Sequence, residues 1–127
     1  MTVCAAQRGP VFGRLAEREV VLNPVGKIVA GQLVALPGRV DGVRLDAWIV
    51  MPDHVHAVLI LEHLDRHLGA IVGAFKAGSA RETRDLRTRG SRLWQRAYYD
   101  HLVRDDDDLA RVREYIETNP MRTTRPA

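Results

Sequence analysis

Two histidines that alternate along a predicted strand are the first residues whose types and spacing suggest chemistry. His54 and His56 lie in the most apolar run of the chain, residues 49–61, which is interrupted by Pro52-Asp53. Because side chains alternate between the two faces of a strand, both imidazoles point to one face and Val55 to the other. Two imidazoles at this spacing can hold one divalent metal ion, although such a pair is also common as half-buried polar packing.

A second pair of polar residues lies on the last predicted helix. Tyr115 and Asn119 are four residues apart, so they share one face of that helix. Tyr115 borders the apolar stripe formed by Leu109, Val112 and Ile116, and the helix therefore presents it where it packs on the sheet. A tyrosine at the edge of a core and an asparagine near a helix end are also ordinary structural residues.

The segment between these pairs is strongly basic. From Lys76 to Arg96 there are seven basic residues against Glu82 and Asp85, a local excess of five in a chain of net charge +3. The predominance of arginine suits planar contact with phosphate, although a solvated helix face has the same composition. The residues expected to contact nucleic acid are Lys76, Arg81, Arg84, Arg92 and Arg96.

Length and composition indicate one domain spanning residues 1–127, with 46% hydrophobic and 28% charged residues. The single cysteine, Cys4, excludes an internal disulfide and a four-cysteine zinc site, and it fits a reducing compartment. The sequence has no apolar run of the roughly 18–20 residues that a membrane span requires, and no signal-peptide pattern. We therefore expect a soluble cytoplasmic protein with no membrane partner.

Hydrophobic periodicity and turn residues predict strands and helices in alternation. The predicted strands are a first strand over 2–6, an extended or hairpin-like stretch over 11–22, a strand over 43–51, the histidine strand ending near Glu62, and a last strand within 93–103. The predicted helices run from Asn23-Pro24 to Pro37-Gly38, from Leu68 to about Gly78, and from the acidic cluster 105–108 to Asn119-Pro120. This order predicts an α+β domain with a ferredoxin-like antiparallel sheet and helices packed on it.

The histidine segment resembles a motif of one enzyme family. Met51-Pro52-Asp53-His54-Val55-His56 is similar to the His-hydrophobe-His motif of the HUH single-tyrosine (insertion-sequence-200-like) transposases. Later motifs resemble the REP-associated tyrosine transposase branch of that family, and the likeness runs from about Val11 to Arg122. These motifs are Trp94-Gln95-Arg96, Tyr99-Asp100-His101, Arg104-Asp105 and Tyr115-Ile116-x-x-Asn119-Pro120.

The resemblance implies a metal-dependent single-stranded DNA endonuclease and strand transferase that acts through a 5′-phosphotyrosine intermediate on hairpin DNA. Carried over to this sequence, it makes His54, His56 and Asn119 ligands of Mg²⁺ or Mn²⁺, and Tyr115 the nucleophile. The chemistry is coherent, because a phosphodiester repels nucleophiles until its charge is neutralised and a covalent link conserves the bond energy for rejoining.

The resemblance also assigns roles to the basic segment and its aromatic residues. Its arginines would follow the DNA backbone, while Trp94, Tyr98 and Tyr99 would stack on unpaired bases. Trp94 and Tyr98 suit a core position equally well. The family includes monomers and also dimers in which the tyrosine helix reaches the partner's site. A homodimer is therefore possible, and action of Tyr115 in cis or in trans stays open.

Other interpretations remain beside this one. Histidine-triad nucleotide hydrolases need a third histidine where this chain has Val58, which excludes that class. A non-catalytic nucleic-acid-binding domain derived from a transposase stays open, as does a structural α+β protein with histidines packed in its core. Asp53 departs from the asparagine that is usual in the family, and His101 is a further candidate ligand.

Overall fold

The computed structural model describes residues 1–62, 68–103 and 105–123, and of residues 119–123 the backbone alone. Its strands are β1 (Thr2–Cys4), β2 (Gly13–Ala16), β3 (Glu19–Leu22), β4 (Val43–Val50) and β5 (His54–Leu61). Its helices are α1 (Pro24–Arg39), α2 (Leu68–Glu82) and α3 (Asp106–Thr123), with a short 3₁₀ turn at Arg84–Leu86. None of these helices has the length and apolar character that crossing a membrane requires.

The main sheet has the antiparallel order β1-β5-β4, and β2 and β3 form a separate hairpin. Residues 94–99 run along the other side of β1 through two isolated bridges, Ala5 with Trp94 and Thr2 with Tyr99. With that segment counted as a fourth strand, the order is the one expected of a ferredoxin-like sheet. The predicted α+β fold is thus confirmed, although the predicted last strand is reduced to these two bridges.

The two faces of the sheet are covered by different helices. Val3, Val50 and Val55 lie on one face, in a buried core that takes in side chains of α1 and α2 such as Leu33 and Phe75. The opposite face carries the histidines of β5, and α3 packs there against β4 and β5. This layering follows because alternate side chains of a strand point to opposite faces of the sheet. One set of side chains therefore faces α1 and α2, and the other set faces α3.

Helix α1 begins where its capping residues predict. The side chain of Asn23 accepts a hydrogen bond from the backbone N–H of Gly26 at 2.8 Å, and Pro24 occupies the first helical position. The predicted stop at Pro37-Gly38 is wrong, because the helix continues to Arg39. A proline in the last turn removes one N–H donor only, and Leu36 beside it stays anchored in the core.

Helix α3 also begins as predicted and runs further than predicted. Asp105 caps it by accepting a hydrogen bond from the N–H of Asp108 at 2.8 Å, and acidic side chains fill its first turn. The predicted end at Asn119-Pro120 is wrong, since the helix reaches Thr123. As in α1, the proline lies near the helix terminus, where losing one donor interrupts little of the hydrogen-bond ladder.

Candidate functional site

The two histidines of β5 share one face of the sheet, as their spacing predicts. The ring centroids of His54 and His56 are 4.7 Å apart and their planes are nearly perpendicular, at 83°. Val55 between them is fully buried on the opposite face. A rigid central strand therefore holds both imidazoles side by side, at the edge of the layer that α3 covers.

Each histidine has a polar partner at the same ring nitrogen. The Nδ1 of His56 lies 2.7 Å from the hydroxyl of Thr2, and the Nδ1 of His54 lies 2.7 Å from the carboxylate of Asp53. A carboxylate accepts hydrogen bonds, so in the uncharged form of His54 this contact places the proton on Nδ1 and the lone pair on Nε2. Partners of this kind orient the histidines that ligate metals in proteins.

The protonation state of His56 also suits a ligand. Burial, followed by the nearby His54 and the N-terminal ammonium group, lowers the pKa of His56 to about 4. At neutral pH this imidazole is therefore uncharged, which is the form that binds a metal. The N-terminal ammonium group of Met1 is itself held in place by a hydrogen bond of 3.0 Å to the carbonyl of Ala57.

Tyr115 of α3 meets the histidine pair within the same chain. Its ring centroid lies 5.5 Å from that of His56, with the two planes at 85°, and 42% of the residue is exposed. The next residue, Ile116, is buried and fixes this face of the helix toward the sheet. The tyrosine predicted as a nucleophile thus stands beside a predicted ligand, with solvent access from one side.

A bidentate salt bridge attaches α3 to β4 close to Tyr115. The guanidinium of Arg113 donates two hydrogen bonds of 2.7 Å to the carboxylate of Asp46 on β4. These bonds lower the pKa of Asp46, so the carboxylate is ionised at neutral pH. This bidentate geometry restricts the rotation of α3 about its own axis and its distance from the sheet. Since Tyr115 follows two residues later, the pair sets where the phenol lies over the sheet.

Tyr115 and His56 line a groove of about 320 Å³. Its wall also includes Thr2, Tyr99, His101 and Arg111. The groove thus opens at the point where the predicted nucleophile and one predicted ligand meet, and it is bordered by the segment that follows the two strand bridges of residues 94–99.

His101, the further candidate ligand, is held by α3. Its Nε2 lies 2.8 and 3.0 Å from the two carboxylate oxygens of Asp108, and the guanidinium of Arg111 lies 3.6 Å from the same carboxylate. The Nε2 atom is therefore used in tying residues 99–103 to the helix. This contact gives His101 a structural role at the rim of the groove.

The third predicted ligand falls outside what the structure describes. Asn119 lies in α3 one turn beyond Tyr115, and its side chain is not among the described residues; Arg104 of the sequence motif also lies outside them. Within the described part of the chain, histidine, cysteine, aspartate and glutamate side chains form no group of three that can hold a metal ion. The described donors therefore amount to the two imidazoles.

Lys76, predicted to contact nucleic acid, has another use in this fold. Its ammonium group donates hydrogen bonds to the carbonyls of Gln95, Arg96 and Ala97 at 2.8, 3.1 and 3.2 Å. These bonds employ all three of its donors, and they tie α2 to the segment that runs beside β1. The geometry gives Lys76 a structural role.

The remaining predicted basic residues, Arg81, Arg84, Arg92 and Arg96, are all exposed. Arg92 lines a cleft that also includes Gln7, and Gln7 lines a second cleft together with His54 and Asp53. The two clefts meet at Gln7. Arg92 and His54 therefore lie in two neighbouring clefts that share Gln7 as a lining residue.

The aromatic residues of the basic segment separate into two groups. Trp94 is buried against Phe12 and Phe75, and its indole N–H donates to the hydroxyl of Ser79 at 2.9 Å. Tyr98 is partly buried against the core, whereas Tyr99 is exposed. Trp94 and Tyr98 therefore pack in or against the core, which is one of the two roles that the sequence allowed for them. Of these three aromatic residues, Tyr99 is the one whose side chain is exposed to a ligand.

Two positioning contacts were not identified from sequence. Thr2 reaches His56 only because β1 pairs with β5 in a register that places the two residues opposite one another. Asp46 and Arg113 are 67 residues apart and meet only when α3 crosses β4. A single sequence carries no local signal for either contact, because both depend on pairing between distant elements.

Comparisons with known proteins bear on this arrangement. The model of a family described as "Transposase IS200 like" matches residues 14–119. An uncharacterised protein of Haemophilus influenzae is 28% identical over 145 residues, covering 95% of this chain and 78% of that protein. A second protein of that organism, provisionally named a REP-associated tyrosine transposase, is 33% identical over 82 residues, covering 58% of this chain and 47% of that protein.

Two solved structures share the fold. A REP-associated tyrosine transposase bound to a REP hairpin superposes with a TM-score of 0.75 at 17% identity, covering 96% of this chain and 65% of that one. This chain thus spans just under two thirds of that structure. A protein of Deinococcus radiodurans R1, provisionally described as a transposase, superposes with a TM-score of 0.62 at 24% identity, covering 91% of this chain and 85% of that one.

Proposed function

The chain belongs to the IS200-like transposase family, and on that premise we propose that it is a metal-dependent single-stranded DNA endonuclease and strand transferase. The observation that supports this most directly is the contact between Tyr115 and His56, whose ring centroids are 5.5 Å apart on the face that also carries His54. A nucleophilic side chain and two imidazole ligands are the parts that such an activity requires.

Tyr115 would act as the nucleophile. Its phenolic oxygen forms a bond to the phosphorus of the scissile phosphodiester and loses its proton to water. The bond from phosphorus to the 3′ oxygen breaks, and that oxygen takes up a proton. The products are a 5′-phosphotyrosine link and a free 3′-hydroxyl, so a second 3′-hydroxyl can reverse the step and join strands.

His54 and His56 would hold the metal through their Nε2 atoms, with the amide oxygen of Asn119 as the third ligand. The residues fit this role, because both Nδ1 atoms already have partners and His56 is uncharged at neutral pH. A bound Mg²⁺ or Mn²⁺ ion would neutralise charge on the scissile phosphate and orient it.

Tyr115 would act in cis. It contacts His56 of its own chain, so the site would be assembled within one protomer without exchange of α3 between two copies. A homodimer would in that case bring together two separate sites, each with its own nucleophile.

The substrate would be single-stranded DNA that carries a hairpin. One of the proteins that share this fold is described as bound to a REP hairpin. In this chain, the exposed Arg81, Arg84, Arg92 and Arg96 offer guanidinium groups for the phosphate backbone. Arg92 and His54 line neighbouring clefts that share Gln7. Arginine suits this contact because its planar fork matches phosphate geometry.

A second candidate is a non-catalytic DNA-binding domain derived from a transposase. The observation that favours it is the ligand set, since among the described residues no group of three histidine, cysteine, aspartate or glutamate side chains can hold a metal ion. Such a domain would keep the basic surface and bind hairpin DNA, but neither Tyr115 nor metal would affect its behaviour.

A denaturing gel separates the two candidates. Labelled single-stranded hairpin DNAs are incubated with the protein and Mn²⁺, and with EDTA as the metal-free control. The nuclease predicts a protein–DNA adduct that survives denaturation, requires Mn²⁺ and is absent from His56→Ala. The binding domain predicts a shift on a native gel with no adduct under any condition.

A further inference from the structure

We propose that Tyr99 is the stacking platform for an unpaired base of the DNA strand next to the phosphate that Tyr115 attacks, an inference that rests on the function proposed above. It assigns to an exposed residue of the groove a direct part in selecting single-stranded substrate. The observations concern its backbone, its exposure and its neighbours.

The backbone of Tyr99 is fixed by β1. The N–H of Tyr99 donates to the carbonyl of Thr2 at 2.9 Å, and the N–H of Thr2 donates to the carbonyl of Tyr99 at 2.7 Å. Residues directly opposite one another in an antiparallel pair point to the same face. Tyr99 therefore lies on the face of Thr2, and Thr2 in turn contacts His56.

The ring of Tyr99 is unusually open to solvent for an aromatic residue at such a fixed position. The residue is 62% exposed, whereas Trp94 at the other bridge is 4% exposed. A large aromatic surface held in solvent by two backbone hydrogen bonds contributes little to the core. It is suited to a ligand with a flat apolar face.

The neighbours of Tyr99 favour a nucleobase as that ligand. Tyr99 lines the same groove as Tyr115 and His56, so whatever stacks there is next to the reacting phosphate. Asp100 is on the same wall, and its carboxylate disfavours a phosphate at that point. The groove is also lined by the exposed side chain of Arg111, whose guanidinium would contact the DNA backbone while the base lies on the ring.

The base must be unpaired. In a duplex, both faces of each internal base are stacked on neighbours, and an exposed protein ring has no access to them. In single strands, stacking on aromatic side chains contributes roughly a 5- to 100-fold gain in affinity per base and tolerates any sequence. Tyr99 would thus distinguish the single-stranded flank from the hairpin stem at the position where cleavage occurs.

The test measures binding apart from chemistry. Hairpin oligonucleotides with single-stranded flanks are made with one abasic position at a time, and their dissociation constants are measured by fluorescence anisotropy in EDTA against Tyr115→Phe protein. With Tyr99 intact, one abasic position next to the cleavage site weakens binding by roughly 5- to 100-fold. Adding Tyr99→Ala weakens binding to intact DNA by the same factor, and the abasic substitution then causes no further loss of affinity. Tyr99→Phe is expected to bind both DNAs as the protein with Tyr99 does.

Leu102 provides the matched control. It belongs to the same segment and is 78% exposed, yet it is not among the described residues that line the groove. Leu102→Ala is expected to bind as tightly as the parent and to keep the abasic sensitivity. The proposal is overturned if Tyr99→Ala binds intact DNA normally, if it keeps the abasic sensitivity, or if Leu102→Ala loses as much affinity. If these binding results hold but protein with Tyr115 intact forms no covalent adduct in Mn²⁺, the phosphotyrosine chemistry is refuted and the platform stays in place.

Discussion

The hydroxyl of Thr2 lies 2.7 Å from the Nδ1 of His56, although the two residues are 54 positions apart in the chain. The contact exists because β1 pairs with β5 and places these residues opposite one another. It assigns Thr2 to the candidate metal site as a positioning residue, since it fixes the orientation of the His56 imidazole.

Thr2→Val is therefore expected to weaken metal binding. The substitution keeps the β-branched shape and replaces the hydroxyl with a methyl group, so the strand pairing is preserved while the ring of His56 loses its partner. Loss of such a partner typically lowers metal affinity by about 10- to 100-fold. Titration of Mn²⁺ followed by electron paramagnetic resonance measures the change directly.

Thr118 supplies the control for that experiment. Its hydroxyl donates to the carbonyl of Glu114 within α3 at 2.8 Å, whereas the histidine contact described above is made by Thr2. Thr118→Val should leave Mn²⁺ affinity unchanged. Equal affinities of Thr2→Val and the parent protein would show that the hydroxyl of Thr2 does not support the site.

Lys76 and Arg92 are expected to affect different properties. Lys76→Met leaves three carbonyls without their ammonium partner, and we expect it to lower the melting temperature by roughly 2–6 °C with no change in the salt dependence of DNA binding. Arg92→Gln should leave the melting temperature unchanged. If Arg92 contacts one phosphate of a single strand, the variant reduces the magnitude of the slope of log affinity against log salt concentration by about 0.7.

Thermal melts and anisotropy titrations at several salt concentrations decide this comparison. The assignment of Lys76 to a structural role is contradicted if Lys76→Met melts normally and reduces the salt slope. An unchanged slope in Arg92→Gln would remove Arg92 from the DNA surface.

The ion pair between Asp46 and Arg113 should make stability depend on acid pH. Hydrogen bonds from Arg113 lower the pKa of Asp46 below its ordinary value of 3.8. The ionised carboxylate therefore stabilises the fold above about pH 4, and this contribution is lost as the pH falls through the lowered pKa. Arg113→Met is expected to lower the melting temperature by roughly 1–4 °C at pH 7, with a smaller difference near pH 3.

The exposed pair of Arg44 and Glu62, with its nitrogen and oxygen 3.3 Å apart, serves as the control. Arg44→Met should change the melting temperature at pH 7 less than Arg113→Met does, because a solvent-exposed pair is more strongly screened. If Arg113→Met lowers the melting temperature by the same amount at pH 7 and near pH 3, the ionised Asp46 is not the source of the lost stability.

Much of the fold is predictable because most of its helices and strands are specified by residues that are close together in the sequence. The cap formed by Asn23 and Pro24, the alternation along β4 and β5, and the acidic start of α3 each specify one element through neighbouring residues. The helix ends were predicted less well. Pro37 and Pro120 are accommodated inside helices, since a proline near the terminus costs less than the loss of a packed turn.

The candidate site is predictable only in part, for a physical reason. The shared face of His54 and His56 follows from the period of a strand, and Tyr115 is marked by its place beside an apolar stripe. The distance between Tyr115 and His56 depends on how α3 crosses the sheet, which the pair Asp46–Arg113 fixes across 67 positions. The structural role of Lys76 is hidden in the same way, because its partners are backbone carbonyls about 20 residues away.

The central claim is that Tyr115 forms a covalent bond to the 5′-phosphate. The most direct test is proteolysis of the adduct formed with hairpin DNA and Mn²⁺, followed by mass spectrometry of the nucleotide-bearing peptide, beside Tyr115→Phe and Tyr98→Phe. We predict that the nucleotide mass lies on Tyr115, that Tyr115→Phe yields no adduct and that Tyr98→Phe yields the parent amount. A nucleotide on any other residue, or an adduct that persists in Tyr115→Phe, would contradict the claim.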